Sequence, residues 1–164
     1  MKIKLILYIF LCLLFFVKKV YADQIFFDSD NLIIKEEGNM IFATKGFAKI
    51  PSKNIEIEGD KFIYNKLISE LTIIDNVKYF DNQKKVYIES EKLIYDEINN
   101  NIFSEGKTFI KIEEKYKVNS SNILYDRNYM KISSKKFTTV HDANKNKFKF
   151  EDGFLFETIK EIIS

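Results

Sequence analysis

The chain has 164 residues, 46% of them apolar and 30% charged. That balance excludes a disordered tail and a multi-pass membrane protein, and it allows one domain with its own core. The formal charge of +2 belongs to the first 22 residues, which hold four lysines and no acid; the remainder carries 22 basic against 24 acidic groups, a poor footprint for nucleic acid.

Lys2 and Lys4 open the chain, Leu5 to Val17 is an unbroken apolar run of 13, and Lys18-Lys19 leads into Val20-Tyr21-Ala22. This is the pattern of a secretory signal peptide with small or branched residues at its cleavage site. A run of that length makes only about 20 Å of helix against about 30 Å of hydrocarbon, which argues against a membrane anchor. Cys12 lies inside the run, behind residues too large for a lipoprotein site. Cleavage after Ala22 leaves an exported domain, residues 23–164, with no cysteine, so it must fold without disulfides.

Beyond the leader one short motif recurs. Leu32-Ile33-Ile34, Phe62-Ile63-Tyr64, Leu93-Ile94-Tyr95, Ile123-Leu124-Tyr125 and Phe154-Leu155-Phe156 have their last residues 30, 31, 30 and 31 apart. Gly46, Asn76, Gly106 and Lys136 are spaced 30 apart, and Gly59, Ser90 and Ser120 occupy matching places at intervals of 31 and 30. Three rulers agree on a repeat of about 30 residues, some four and a half units in all.

The unit reads as β. Alanine is nearly absent after the leader, whereas Ile, Val, Thr, Tyr and Phe are abundant. Ile55-Glu56-Ile57-Glu58-Gly59, Val86 to Ser90 and Tyr116 to Ser120 alternate with period two. The phase then slips: Ile57 gives way to Phe62 and Tyr64, Ile88 to Leu93 and Tyr95, Val118 to Ile123 and Tyr125. A slip beside a small residue predicts a bulge or bend in mid-strand. Asp81 to Lys85, Asp96 to Asn101 and Asp126 to Asn128 read as turns. The expected fold is all-β and antiparallel: bent strands stacked into two facing sheets, a jelly-roll-like trough. The last unit reads as stopping half-way, with Ile159 to Ser164 expected to start a returning strand; the expectation is either a truncated product or a sheet edge meant to be covered by something else.

GDKFIYNKLISELTIIDNVKYF at 59–80 and EKLIYDEINNNIFSEGKTFIKI at 91–112 resemble the OstA-like repeat of lipopolysaccharide-transport proteins. The resemblance covers roughly residues 23–164. That family includes a soluble periplasmic bridge protein (LptA), a membrane-anchored partner (LptC), and the periplasmic front region of an outer-membrane assembly protein (LptD). The resemblance implies an antiparallel β jelly roll open like a V, with lipid A acyl chains in its trough. It implies a periplasmic place, outer-membrane association for an assembly protein, and edge-to-edge pairing with other jelly rolls of the bridge or with further copies. The fourth unit departs from the pattern, with Lys135-Lys136-Phe137 where the third has Glu105-Gly106-Lys107, and Glu151 where a small residue is expected.

The inward set predicted to line the trough is Ile57, Phe62, Tyr64, Ile73, Ile88, Leu93, Tyr95, Ile102, Val118, Ile123 and Tyr125. The same residues would equally fill a closed core. Lys135, Lys136, Lys145, Lys147 and Lys149 could face lipid phosphates or simply be solvated. One histidine, His141, and no cysteine after the leader give no metal spacing; Ser120-Ser121 and Ser133-Ser134 lack a partner base. The reading is of no enzyme and no cofactor. The alternative function is an exported structural or adhesive β-solenoid that binds protein rather than lipid.

Overall fold

The computed structural model describes residues 24–157. The expected leader and the returning strand from Ile159 lie outside the described residues. Six long strands come first: β1 (Phe26–Lys35), β2 (Met40–Ile50), β3 (Ile55–Asn65), β4 (Glu70–Asp81), β5 (Val86–Asp96) and β6 (Asn101–Ile112). Six shorter ones follow: β7 (Tyr116–Ser121), β8 (Leu124–Asp126), β9 (Lys131–Ser134), β10 (Thr138–His141), β11 (Lys147–Phe150) and β12 (Phe154–Glu157). All pairings are antiparallel. The turns between long strands are tight because single residues such as Asn54, Ser69, Lys85 and Asn100 take left-handed backbone angles.

The strands bend where the alternation slips. Pairing of β3 with β4 shifts between Glu58 and Lys61, that of β4 with β5 between Ile74 and Val77, and that of β5 with β6 between Ser90 and Lys92. Asp75 and Asn76 on β4 and Gly106 on β6 have positive φ at these corners. The residues that mark the 30-residue period are therefore corner residues. Gly46 shows why: at φ 141° an added Cβ would lie 2.0 Å from the Asp28 carbonyl oxygen. At Ser90 the hydroxyl donates to the Lys92 carbonyl at 3.0 Å, bridging the bulge.

The corners keep enough backbone pairing that the strands form one continuous 12-stranded sheet folded on itself, in which the two facing sheets expected from the sequence are halves joined through the bent strands. The first wall holds the segments near turns 51–54 and 82–85. The second holds those near turns 36–39, 66–69 and 97–100. After β6 the corner opens fully. Asn122 breaks β7 from β8, and Lys135 to Phe137 separate β9 from β10. The sheet forks into one arm, β7-β10-β11, and a second, β8-β9-β12.

Three cross-strand rows follow from the register. On the inner face of the second wall, Ile41, Tyr64, Leu71, Tyr95, Ile102, Tyr125 and Ile132 stand side by side. On the inner face of the first, Ala48, Ile57, Tyr79, Ile88, Ile110, Val118 and Val140 do the same. A third row runs on the outer face of the second wall. Ile33, Phe42, Ile63, Ile94, Phe103, Leu124 and Leu155 lie along it, with Thr72 and Ser133 interposed. The outer face of the first wall is instead mixed: Lys49 pairs with Glu56 and Lys78 with Glu58, while the Phe80 and Tyr87 rings meet at 4.9 Å between Glu56 and Lys111.

Candidate functional site

The space between the walls is built from the repeat itself. Each inward residue of the sequence-derived set is buried: Ile57, Ile88 and Val118 on the first wall, and Phe62, Tyr64, Ile73, Leu93, Tyr95, Ile102, Ile123 and Tyr125 on the second. They belong to one continuous apolar cluster. The cluster also takes in Leu71, Tyr79, Ile110 and Ile132, which the alternation around them would have supplied. The interior is thus filled by the protein's own side chains, and the walls interlock through ring contacts. Tyr79 meets Tyr125 edge-on at 6.5 Å, and Phe27 meets Phe62 at 6.0 Å.

The repeated tyrosines have a second part to play. Their rings lie in the interior while their hydroxyls reach the free margins of the walls, opposite the corners. Tyr64 donates to Glu97 Oε2 at 2.9 Å. Tyr95 accepts a bond from Lys53 Nζ at 2.7 Å, so a turn of the first wall is tied to the second. Tyr125 donates to Asp81 Oδ2 at 3.3 Å in the same sense.

Beside Tyr125 sits the only arginine of the chain. Arg127 Nε donates to Asp81 Oδ2 at 2.6 Å, and Nη2 reaches Asp81 Oδ1 at 3.4 Å. Nη2 also bonds the Lys53 carbonyl and Gln83 Oε1, both at 2.9 Å. Arg127 belongs to a turn of the second wall; Asp81 ends β4 on the first wall, where Gln83 and Lys53 belong to turns. The pair is 7% and 0% exposed by side chain, so this is a buried clasp across the mouth between the walls. Burial works against the guanidinium charge, but the Asp81 hydrogen bond and charge outweigh it and raise the pKa of Arg127. Burial first, then the charge of Asp81, pushes the Tyr79 and Tyr125 phenols well above their ordinary value.

The clasp closes one side of the interior, but its two ends are different. Leu32 and Ile34 on β1 are in the inward register, opposite buried Ala43 and Ile41, yet they are 45% and 59% exposed. At the forked end Phe148 and Phe150 on β11 pair with buried Val140 and Thr138, yet they too are exposed. The apolar lining therefore runs through the body and emerges at both edges of the sheet. The lysines 135, 136, 145, 147 and 149 are all exposed and lie at the forked end or its turn. Among the described residues no group of three His, Asp or Glu side chains is arranged to hold a metal ion.

Comparison with known proteins finds no matching family model and no curated protein of significant similarity.

Proposed function

We propose that the protein is a lipid-binding transport module of the OstA-like kind, a V-shaped jelly roll that shields the acyl chains of lipopolysaccharide. Its place is the periplasm, and its open edges pair with neighbouring jelly rolls so that the greasy interior continues from one to the next. The observation that carries this reading is the emergence of inward-register apolar residues, Leu32 and Ile34 at one edge and Phe148 and Phe150 at the other. A domain that only needed a core would seal its ends with polar side chains. Exposed apolar surface costs about 25 cal/mol per Å² until something covers it. The filled interior means that a chain enters by displacing side chains or by parting the walls, not by occupying an open channel.

The test is titration of the purified protein with lipopolysaccharide, beside Leu32→Asp and Phe148→Asp. Both sites are exposed, so the variants keep the fold, as circular dichroism will report. Wild type binds and the variants bind at least tenfold more weakly. A well-folded wild-type sample that binds no lipopolysaccharide overturns the reading and leaves the structural solenoid.

A further inference from the structure

We propose a second ligand site, on the outer face of the second wall near the fork, that takes a single-chain amphiphile with an anionic head group, the fatty-acid class. It does not depend on what the interior holds.

The first observation is periodic. In every anchor triplet the middle residue points away from the interior, where alternation calls for a polar side chain. Here it is Ile33, Ile63, Ile94, Leu124 or Leu155, apolar in all five units. The register sets these side by side with Phe42 and Phe103 from the intervening strands. The result is a largely apolar stripe across nine strands, interrupted by Thr72 and Ser133 and roughly 38 Å long at the usual strand spacing of about 4.8 Å. Mostly polar rows flank it on both sides: Lys35, Asn65, Glu70, Asp96, Asp126 and Lys131 toward the turns, with Met40 among them, and Lys61, Lys92 and Glu105 toward the corners, with Ile74 among them. A solvated sheet face has no structural need of such a stripe.

The second observation is a hollow at the stripe's forked end. A cavity of about 500 Å³ is lined by Phe103, Leu124, Ser133 and Ser134, with Lys135 and Lys136 in its wall. The volume falls in the range of roughly 300–1,000 Å³ found for small-molecule sites. It forms where the β9–β10 corner has opened. Ser134 holds that corner: its hydroxyl donates to the Ser121 carbonyl at 2.7 Å and accepts from the Lys136 backbone N–H at 3.0 Å. No ion pair is shown for either lysine among the described side chains, whereas Lys61 and Lys92 of the same face are paired with Asp75 and Glu105. Two ammonium groups beside an aromatic and aliphatic floor match a carboxylate with a hydrocarbon tail, and the stripe through Phe103 and Ile94 is the bed for that tail.

The experiment is calorimetric titration of the full protein, below the critical micelle concentration, with dodecanoate, dodecanol and dodecyltrimethylammonium. Dodecanoate is expected to bind best. Leu124→Asp and Phe103→Asp each weaken it at least tenfold, and Lys135→Glu with Lys136→Glu removes the preference for the anion. Leu32→Asp, at the interior's far edge, leaves it unchanged, which separates this site from the interior. Equal binding of the three amphiphiles, or dodecanoate affinity unchanged in both Leu124→Asp and Phe103→Asp, overturns the proposal. So does loss of dodecanoate binding in Leu32→Asp.

Discussion

Replacing Arg127 by methionine removes the clasp while keeping much of the side-chain volume. Four contacts go: two to the Asp81 carboxylate, one to the Lys53 carbonyl and one to Gln83. Asp81, 1% exposed, is left as a buried anion held by Tyr79, Tyr125 and the Lys84 N–H. Breaking a buried pair from one side costs about 3–5 kcal/mol. At roughly 2–4 °C per kcal/mol for a domain of this size, the midpoint falls by roughly 6–20 °C. The double change Asp81→Leu with Arg127→Met removes both charges, and most of the loss is expected to return because desolvation is no longer opposed. Urea titration followed by circular dichroism measures all three proteins. Lys78→Met, which breaks a half-exposed pair with Glu58, serves as control at under about 1 kcal/mol. If Arg127→Met costs no more than that control, the mouth is not held by this pair and the reasoning fails.

Stability falls as pH rises above about 10. Tyr79 and Tyr125 stay neutral in the folded state after their unfolded counterparts ionise, so the folded state then binds more protons. Each contributes a loss of about 1.4 kcal/mol per pH unit; equal urea midpoints at pH 8 and pH 11 would contradict the buried phenols. Gly46→Ala meets both a positive φ and the Asp28 carbonyl, and is expected to cost about 2–3 kcal/mol and loosen β1; amide exchange of β1 no faster than in wild type would refute it. The edges of β1 and β11, unpaired among the described residues, predict end-to-end oligomers that grow with concentration and weaken in Ile34→Lys. A strict monomer at high concentration in sedimentation would remove edge pairing from the account.

The repeat made much of this legible. Gly59 and Ser90 marked corners because a bulge must shift the inward face, and a phase slip in the apolar alternation is visible in a single strand. Tyr64, Tyr95 and Tyr125 read as inward for the same reason, and they are buried. That the corners would leave one continuous sheet was not legible, since it depends on how many pairs survive each bulge. The Asp81–Arg127 clasp was hidden because its members lie 46 residues apart and meet only when turns of opposite walls are brought together. The outer stripe was present in every triplet as the residue between two inward ones. An apolar trio reads as core until alternation is applied strictly, which hides its middle residue. The fork begins at Asn122, and its second break falls at Lys135-Lys136, where the fourth unit departs from the Glu105-Gly106 of the third.

The interior as an acyl-chain path is tested most directly by site-specific photocrosslinking in cells that make lipopolysaccharide. A photoreactive residue at Leu32 and another at Phe148 sample the two ends of the lining, and one at Leu67, on an exposed turn, serves as control. Lipopolysaccharide adducts at Leu32 and Phe148 but not at Leu67 are the predicted result. Adducts at none of the three, or at Leu67 as readily as at the ends, would contradict it.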